Sequence, residues 1–528
     1  MHNDIGRTGG SSQPGSPGLP ARHALALITT ATLALAACSA APPGAGAKVN
    51  DSLTVVAVIA PQTLDPAKTA QNNAWLEQLA YEPLIIRRSD GSLVPGLAQS
   101  WRYEGTDNTA FVLRLRPGVK FSDGTDLTAQ NVVDHFTYVV ASAGQMASFL
   151  AGSTFTATDP LTVTIKASSP NPDFPLILTQ DYIIGGVIGS AALKSPSTLG
   201  TQTVGAGPYM VDAAQSVAGD HYTYVPNPNY YDKPAVRWKK VVIRIITSPQ
   251  SVLNALKTGQ ADVAVGDPST VTAADQAGLT VTSSPFLWNG VVLADRDGTM
   301  AKPLSDVRVR QALNLATDRA AVAKALFNGI GSPTHQVTVP GGYGYNASLA
   351  SAYPYDVDRA KKLLADAGYA NGFPLAIVTP EYQQLNLMAQ ALAQQWKQVG
   401  IDLKITDYAN ANQFSADAFG GKFPAFMTAF GQIPIWMEGP SLFLPTAAFN
   451  PFHTKDAALQ TLYDDAARAS GADKETRDQK VIAHLTNQAW FVPIVMTGLP
   501  YYARDTVAVI KTSAKEPLLS LYEIVPAG

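Results

Sequence analysis

Residues 111–129 read FVLRLRPGVKFSDGTDLTA, and this stretch predicts a strand, two turns and the beginning of a helix. Every second residue from 111 to 115 is a large apolar one, as in a strand with one buried face, while Val112, Arg114 and Arg116 share the other face. Pro117-Gly118 predicts a turn, after which residues 119–121 return as a second strand. Thr128 can then cap an amphipathic helix. The pattern predicts a hairpin that leads into a helix.

Strand and helix patterns alternate along the rest of the chain. Residues 53–60 alternate like a strand, and Asp358 is predicted to cap a helix that follows it. Further on, the strand pattern of 375–378, the apolar helix stripe of 385–399 and the strand pattern of 401–405 follow one another. A strand, a helix and a second strand in this order predict a crossover unit of an α/β sheet.

The composition narrows the possible classes of protein. The chain has 528 residues, of which 46% are hydrophobic and 15% charged, so it can bury a large core and is neither disordered nor fibrous. Its 38 Lys and Arg against 41 Asp and Glu give a net charge of −3. Nucleic-acid binding needs a basic excess to neutralise phosphates, so we expect no nucleic-acid partner.

The N-terminal residues have the pattern of an exported lipoprotein. Residues 24–35 form an apolar run of signal-peptide length, and Leu35-Ala36-Ala37-Cys38 resembles the lipobox of bacterial lipoproteins. We therefore predict a signal peptide over 1–37 and, over 38–49, a lipidated Cys38 with a flexible tether of small residues. The alternative is a plain secretory signal with a coincidental cysteine. No later apolar run approaches 18 residues, so the lipid is predicted to be the membrane anchor.

Motifs of catalysis are missing from the sequence. It contains no His-Glu-x-x-His, no Walker phosphate loop, no complete Gly-x-Gly-x-x-Gly and no Gly-x-Ser-x-Gly. One cysteine excludes an intrachain disulfide and a cysteine-clustered metal site. We expect no enzyme activity, no catalytic residue, no metal site and no cofactor.

The stretch 111–129 resembles the signature of extracellular solute-binding protein family 5, the peptide/nickel class of ABC-importer receptors. Further segments fall in the order of that family. They are Thr63-Leu64-Asp65-Pro66, Tyr81-Glu82-Pro83-Leu84, residues 97–101, Gly205-Ala206-Gly207-Pro208-Tyr209, Pro226-Asn227-Pro228-Asn229-Tyr230-Tyr231, residues 305–313, Asp318-Arg319 and residues 360–369. The resemblance covers about residue 53 to the C-terminus.

The resemblance implies an α/β, two-lobed fold like that of periplasmic binding proteins (type II, cluster C), with an extra subdomain in lobe one. Lobe one would comprise 50–290, including the extra subdomain at about 90–200, and lobe two would comprise 291–496. Residues 497–528 would return to lobe one. A ligand that contacts both lobes would stabilise the closed form of such a hinge.

Ligand-binding residues are expected on loops at the edges of the lobes, and residues 431–440 form one such loop. Peptide-binding relatives carry an aspartate there that pairs with the peptide's α-ammonium, but residues 418–452 contain no aspartate. Aligned on Pro440, Trp436 takes that position, and Glu438 and Gln432 are the polar candidates nearby. The alternatives are that Trp436 is loop packing and that Glu438 is a solvated charge at the rim.

Residues 331–346 form the second such region, with Tyr343 and Tyr345 as candidates. Relatives often hold a peptide carboxylate here with an arginine, but residues 328–358 contain no Arg or Lys. Trp288 and Asn72 are further candidates by family position, with packing or a turn as the alternatives.

Together these features predict a monomeric, lipid-anchored receptor at the outer face of the cytoplasmic membrane. It would bind peptides or a similarly sized small molecule and deliver them to the permease subunits of an ABC importer. The alternatives are a receptor for a non-peptide ligand, such as a metallophore or an oligosaccharide, and a sensory or adhesive surface lipoprotein that reuses the fold.

Overall fold

The computed structural model describes residues 51–69, 73–327, 329–508 and 510–527. The predicted signal peptide, Cys38 and the tether before residue 50 lie outside the described residues, and so does Asn72.

The first part of the chain, up to about residue 283, supplies short strands and helices. Its strands are β1 (Ser52–Ala57), β2 (Ile85–Arg87), β3 (Leu93–Pro95), β4 (Ala98–Glu104), β5 (Ala110–Leu115), β6 (Thr154–Asp159), β7 (Thr162–Lys166), β8 (Tyr209–Val211), β9 (His221–Pro226), β10 (Lys240–Ile245), β11 (Val263–Val265) and β12 (Thr280–Thr282). Its α-helices are α1 (Ala74–Glu77), α2 (Ala129–Ser142), α3 (Phe174–Ile177), α4 (Ser190–Lys194), α5 (Pro249–Lys257) and α6 (Val271–Gln276).

The second part of the chain carries longer helices. Its strands are β13 (Pro285–Leu293), β14 (Ser332–Pro333), β15 (Phe373–Pro380), β16 (Ile401–Tyr408), β17 (Ala425–Gly431) and β18 (Phe491–Gly498), and β19 (Tyr501–Ala503) follows them. Its α-helices are α7 (Val307–Leu315), α8 (Arg319–Phe327), α9 (Val357–Asp366), α10 (Leu385–Lys397), α11 (Ala411–Phe419), α12 (Ile435–Leu442), α13 (Ala457–Ala467) and α14 (Gly471–Asn487).

A seven-stranded sheet forms the centre of the first lobe, in the order β12-β19-β11-β1-β10-β9-β8. Strand β1 lies parallel to both of its neighbours, β10 and β11. Leu53, Val55 and Val56 of β1 are buried, as expected for a parallel strand that is covered on both faces. Strand β19 belongs to this sheet although it comes from the end of the chain.

An antiparallel sheet of order β4-β5-β7-β6 forms a subdomain of the first lobe. The predicted strand 111–116 is its β5, and Thr128 caps α2 as predicted. The Thr128 hydroxyl accepts from the Asn131 backbone N–H at 3.3 Å, while Asn131 Oδ1 accepts from the Thr128 N–H at 2.7 Å. This reciprocal capping box fixes where α2 starts.

The predicted return strand at 119–121 is wrong. Strand β5 is already paired on both sides, with β4 and with β7, so no edge is free for residues 119–121. Only an isolated bridge joins Lys120 to Asp126. Strand β7 lies about fifty residues along the chain, beyond the reach of a local pattern.

A six-stranded sheet of order β14-β18-β13-β17-β15-β16 forms the second lobe. Strands β15 and β16 are parallel and joined by α10, which confirms the predicted crossover. The predicted cap Asp358 is wrong, because Asp356 caps α9 through a 2.9 Å hydrogen bond from the Arg359 N–H. Asp358 lies in the first turn, where its charge faces the positive end of the helix dipole.

The chain passes between the two sheets twice, between β12 and β13 and again between β18 and β19. The protein is therefore an α/β protein with two lobes joined by two crossing segments. The residues at which one lobe gives way to the other stay a prediction. None of the described helices combines the length and apolar character needed to cross a membrane.

Candidate functional site

A cavity of about 460 Å³ lies where the two lobes meet, a volume typical of small-molecule sites. Arg87, Asp181 and Tyr182 of the first lobe form one wall. Tyr343 and residues 430–433 of the second lobe form the opposite wall. The remaining surface comes from side chains near the crossings and the subdomain, namely Met146, Phe149, Phe286, Ser441, Lys515, Pro517 and Leu518.

Two local structures place the second-lobe wall. Strand β17 ends at Gly431, so Gln432 leaves the sheet at the edge that faces the first lobe. Gly341 and Gly344 have φ angles of 78° and 62°, the left-handed region that glycine adopts without strain. This backbone turns Tyr343 toward the first lobe.

Arg87, at the end of β2, forms the polar centre of the cavity wall. Its Nη1 donates to Asp181 Oδ2 at 3.1 Å, and its Nη2 donates to Tyr343 Oη at 2.6 Å across the lobes. Its Nε lies 3.2 Å from Glu516 Oε2, in an ion pair without hydrogen-bond alignment. Because Arg87 and both carboxyl groups are buried, each depends on the others for its electrostatic stabilisation.

The charged groups of this cluster interact with one another. Burial raises the pKa of Glu516 well above its usual value, and Asp181 raises it further, although Arg87 lowers it. The Arg87 guanidinium is engaged by the Asp181 and Glu516 carboxyl groups and by the Tyr343 hydroxyl. It therefore already has partners and is not held free for a ligand.

Lys515 differs from Arg87 because it is only partly engaged. Its Nζ lies 5.3 Å from the centre of the Tyr343 ring and 3.8 Å from Glu475 Oε2. The side chain is about one third exposed. An ammonium held this loosely can pair with an anionic group that enters the cavity.

Of the sequence candidates that the structure describes, Tyr343 and Gln432 line this cavity. Gln432 is buried, and its Oε1 accepts from the Val339 N–H at 3.0 Å. Its Nε2 lies 3.3 Å from Ile433 O and 3.4 Å from Glu438 Oε1. The Gln432 amide therefore connects the segment around Val339 to the segment 430–433 by hydrogen bonds.

Trp436 and Glu438 lie on α12, so the segment expected as a loop is mostly helical. Glu438 is 0% exposed, which excludes the solvated rim charge considered from the sequence. Burial raises its pKa well above the usual value, and Asp478 raises it further. The charged form of this carboxyl group is therefore disfavoured, and its Oε2 has no hydrogen-bond partner among the described residues.

The half-buried Trp436 packs between the core of the subdomain and that of the second lobe. Its carbonyl accepts from Tyr463 Oη at 2.6 Å. Neither Trp436 nor Glu438 is among the described residues that line the cavity.

Trp288 and Tyr345 also lie apart from the cavity lining. Trp288 is 1% exposed and packs edge-on against Phe491 at 5.5 Å. Tyr345 is half-buried, and its carbonyl accepts from Gln479 Nε2 at 3.1 Å. Whether any candidate contacts a ligand stays a prediction.

Sequence reasoning missed several wall residues, including Arg87, Asp181, Phe286, Phe430 and Lys515. Phe430 had a recognisable signal, because it ends an apolar stretch immediately before the predicted loop. Arg87 and Asp181 had no such signal in the sequence, because the two residues that pair lie 94 positions apart.

A second cavity between the lobes has a volume of about 430 Å³ and is lined by Leu287, Phe327, Gln383 and residues 497–500. Phe286 lines the first cavity and Leu287 the second. The two cavities therefore adjoin β13 at neighbouring residues, where a register shift interrupts its pairing with β18.

Comparison with known proteins identifies this architecture. Residues 92–448 match the family described as bacterial extracellular solute-binding proteins, family 5. The chain belongs to this family. Family 5 consists of solute-binding proteins of ABC importers, which act outside the cytoplasm and are not enzymes.

Individual family 5 relatives match most of the chain. Heme-binding protein A of Haemophilus influenzae is 27% identical over 453 residues, which cover 74% of this chain and 80% of the relative. The probable D,D-dipeptide-binding periplasmic protein DdpA of Escherichia coli is 26% identical over 481 residues. The match covers 85% of this chain and 90% of the relative.

The solved structure of HbpA2 from Haemophilus parasuis has a TM-score of 0.79 with 21% identity and covers 90% of this chain and 99% of its own. The fold is thus the two-lobed, periplasmic-binding-protein-like fold that the sequence predicted. Within the described part of the chain, no cluster of His, Cys, Asp or Glu is placed to hold a metal ion.

Proposed function

We propose that this family 5 protein captures a small ligand in the 460 Å³ cavity and closes its two lobes around it. The observation that carries the proposal is that both lobes and the crossing segments contribute walls to the cavity. A ligand there contacts both lobes at once, so binding stabilises the closed form over the open one.

The ligand is a peptide or a molecule of similar size that carries an apolar or aromatic group. Phe149, Tyr182, Phe286 and Phe430 supply ring surface to the cavity. An anionic group of the ligand pairs with Lys515. Asp181, the acidic residue of the described lining, already pairs with Arg87, so no carboxylate there is free to hold a peptide's α-ammonium.

This charge distribution supports a non-peptide ligand, such as a metallophore or an oligosaccharide, as a second candidate. Trp436 stands where peptide-binding relatives are expected to carry an aspartate, and Glu438 is buried with a raised pKa. The relatives named above are described as binding heme and D,D-dipeptides, so the family accepts chemically different ligands.

After capture, the protein delivers its ligand to the permease subunits of an ABC importer. It does so as a monomer anchored through lipidated Cys38 at the outer face of the cytoplasmic membrane, and the tether over 38–49 lets it reach the permease. Lobe one comprises 50–290, lobe two 291–496, and residues 497–528 return to lobe one. A sensory or adhesive role remains the alternative, and an adjacent transporter operon would favour import.

Native mass spectrometry of the protein purified from its own host tests the proposal, because a closed cleft often retains its cargo. Thermal-shift screening of peptides, metallophores and oligosaccharides then finds ligands that raise the melting temperature.

The matched variants are Phe430→Ala in the 460 Å³ cavity and Phe327→Ala in the 430 Å³ cavity. Loss of a buried aromatic anchor costs about 2 kcal/mol, or roughly thirtyfold in affinity. We expect this loss for Phe430→Ala alone. A loss confined to Phe327→Ala would move the site to the 430 Å³ cavity and overturn the assignment.

A further inference from the structure

The first lobe holds a cavity of about 330 Å³ that ligand capture between the lobes does not use. Two segments that carry the family resemblance meet there, Tyr81-Glu82-Pro83-Leu84 and Pro226-Asn227-Pro228-Asn229-Tyr230-Tyr231. Residues 521–524, from the end of the chain, close a third side. The whole lining therefore lies within the first lobe.

Glu82 forms the floor of this cavity and is 0% exposed. Its Oε1 accepts a hydrogen bond of 2.6 Å from Tyr231 Oη. Its Oε2 has no partner at hydrogen-bond geometry among the described residues, although the Tyr230 hydroxyl is close enough to lower the pKa of the carboxyl group. An unpaired buried carboxyl oxygen is costly, so a donor that reaches it from the cavity would gain a strong, charge-assisted contact.

Five aromatic residues line the cavity together with this carboxyl group: Tyr209, Tyr230, Tyr231, Trp238 and Tyr522. Trp238 is held in place, because its Nε1 donates to Ile524 O at 3.0 Å and its backbone N–H donates to Tyr209 Oη at 2.9 Å. A carboxylate among ring faces is the environment that attracts an ammonium group, through both ion pairing and cation–π interaction.

The rim of the cavity has the opposite charge. Arg88, Arg116 and Arg237 line it, and no carboxylate of the described residues lies within ion-pair distance of any of the three. Arg116 is oriented by the Tyr231 ring, 4.8 Å from its guanidinium, and by Gly96 O at 3.3 Å. Asp232 and Glu523 lie at the same rim, so the arginines outnumber the acids.

We propose that this cavity binds a small zwitterion, with its ammonium group at Glu82 and its carboxylate or phosphate at the arginine rim. The cavity volume suits a molecule of about ten non-hydrogen atoms, at about 30 Å³ for each water-sized group. Amino acids have this size and this separation of charge.

The pH dependence of binding follows from the ionisation of Glu82. Burial raises its pKa to about 7, although the nearby hydroxyls of Tyr231 and Tyr230 and the charge of Arg116 lower it and Asp232 raises it. Tyr522 is the further titratable group that faces it. Because the ionised form pairs with an ammonium group, binding strengthens as the pH rises from 6 to 8.

Calorimetric titration of the mature protein with L-phenylalanine, L-glutamine and O-phosphoethanolamine tests the site, and the last of these separates phosphate from carboxylate recognition. Phenethylamine and 3-phenylpropionate each lack one charge of phenylalanine, so both should bind more weakly than it does. We expect Glu82→Gln to weaken zwitterion binding about tenfold and to abolish its pH dependence. Arg237→Ala should weaken it about threefold.

Glu77→Gln is the matched control, because Glu77 is a buried glutamate of the same lobe outside this lining. It should bind the zwitterions like the wild type. The proposal is overturned if none of the three zwitterions binds, if Glu82→Gln binds as well as Glu77→Gln does, or if either half-charged analogue binds as tightly as phenylalanine.

Discussion

Asn108→Asp should weaken closure of the lobes without touching the ligand cavity. Asn108 lies in the first lobe, and its Nδ2 donates across the interface to Ala467 O at 3.1 Å and to Ala469 O at 3.0 Å. The side chain is buried and does not line the cavity. Aspartate has nearly the same shape and tolerates the left-handed backbone at this position, where φ is 55°.

The magnitude follows from the two hydrogen bonds. Each is worth about 1 kcal/mol, and the new carboxylate would also face two carbonyl oxygens. The closed form therefore loses about 2 kcal/mol relative to an open form in which water solvates the side chain. This shifts the ratio of closed to open molecules about thirtyfold and lowers ligand affinity by up to the same factor.

Small-angle scattering of the unliganded protein and calorimetry with the cargo measure these two effects. Asn227→Asp is the matched control, because Asn227 Nδ2 donates to Gly207 O at 2.9 Å within the first lobe. That variant should lose stability but close normally. If the two variants had the same scattering profile and the same ligand affinity, the hydrogen bonds of Asn108 to residues 467–469 would play no part in closure.

Three further predictions concern the anchor, helix α12 and the floor of the first-lobe cavity. Cys38→Ser should abolish labelling by a fatty-acid analogue, since no other cysteine can form the thioether, and label on the variant would refute lipidation at this residue. Trp436→Ala should cost about 3 kcal/mol of unfolding free energy and weaken ligand binding, because the ring packs between two cores. Glu438→Gln should change either quantity by less than about 1 kcal/mol, because burial raises the pKa of this acid and so disfavours its charged form. Denaturant unfolding and calorimetry would contradict this if Glu438→Gln had the larger effect of the two variants. Burial raises the pKa of Glu82 to about 7, so the folded protein holds the proton of this carboxyl group more tightly than the unfolded chain does. The unfolding free energy should therefore fall by about 3 kcal/mol as the pH rises from 4.5 to 7. Glu82→Gln should lack this part of the fall, and an unchanged pH profile would count against the raised pKa.

Local sequence patterns predicted the elements whose causes are local. The alternation over 111–116, the cap at Thr128 and the unit formed by β15, α10 and β16 each depend on residues near one another in the chain, and the structure contains all of them. The same signature stretch was sufficient to identify the family. Local patterns were wrong where two signals competed, as for Asp356 and Asp358 as caps of α9.

Tertiary structure decided which side chains became buried and which partners they met. Glu438 was predicted as a ligand-binding candidate, with a solvated rim charge as the alternative, but the structure buries it completely, and burial and Asp478 raise its pKa. Arg87 carried no signal, yet it joins Asp181 and Tyr343, which lie 94 and 256 residues away. The cavity at Glu82 likewise needs three distant segments. Burial and pKa depend on every atom around a group, so the sequence determined the family and the local elements, and long-range packing alone decided the chemistry of the cavities.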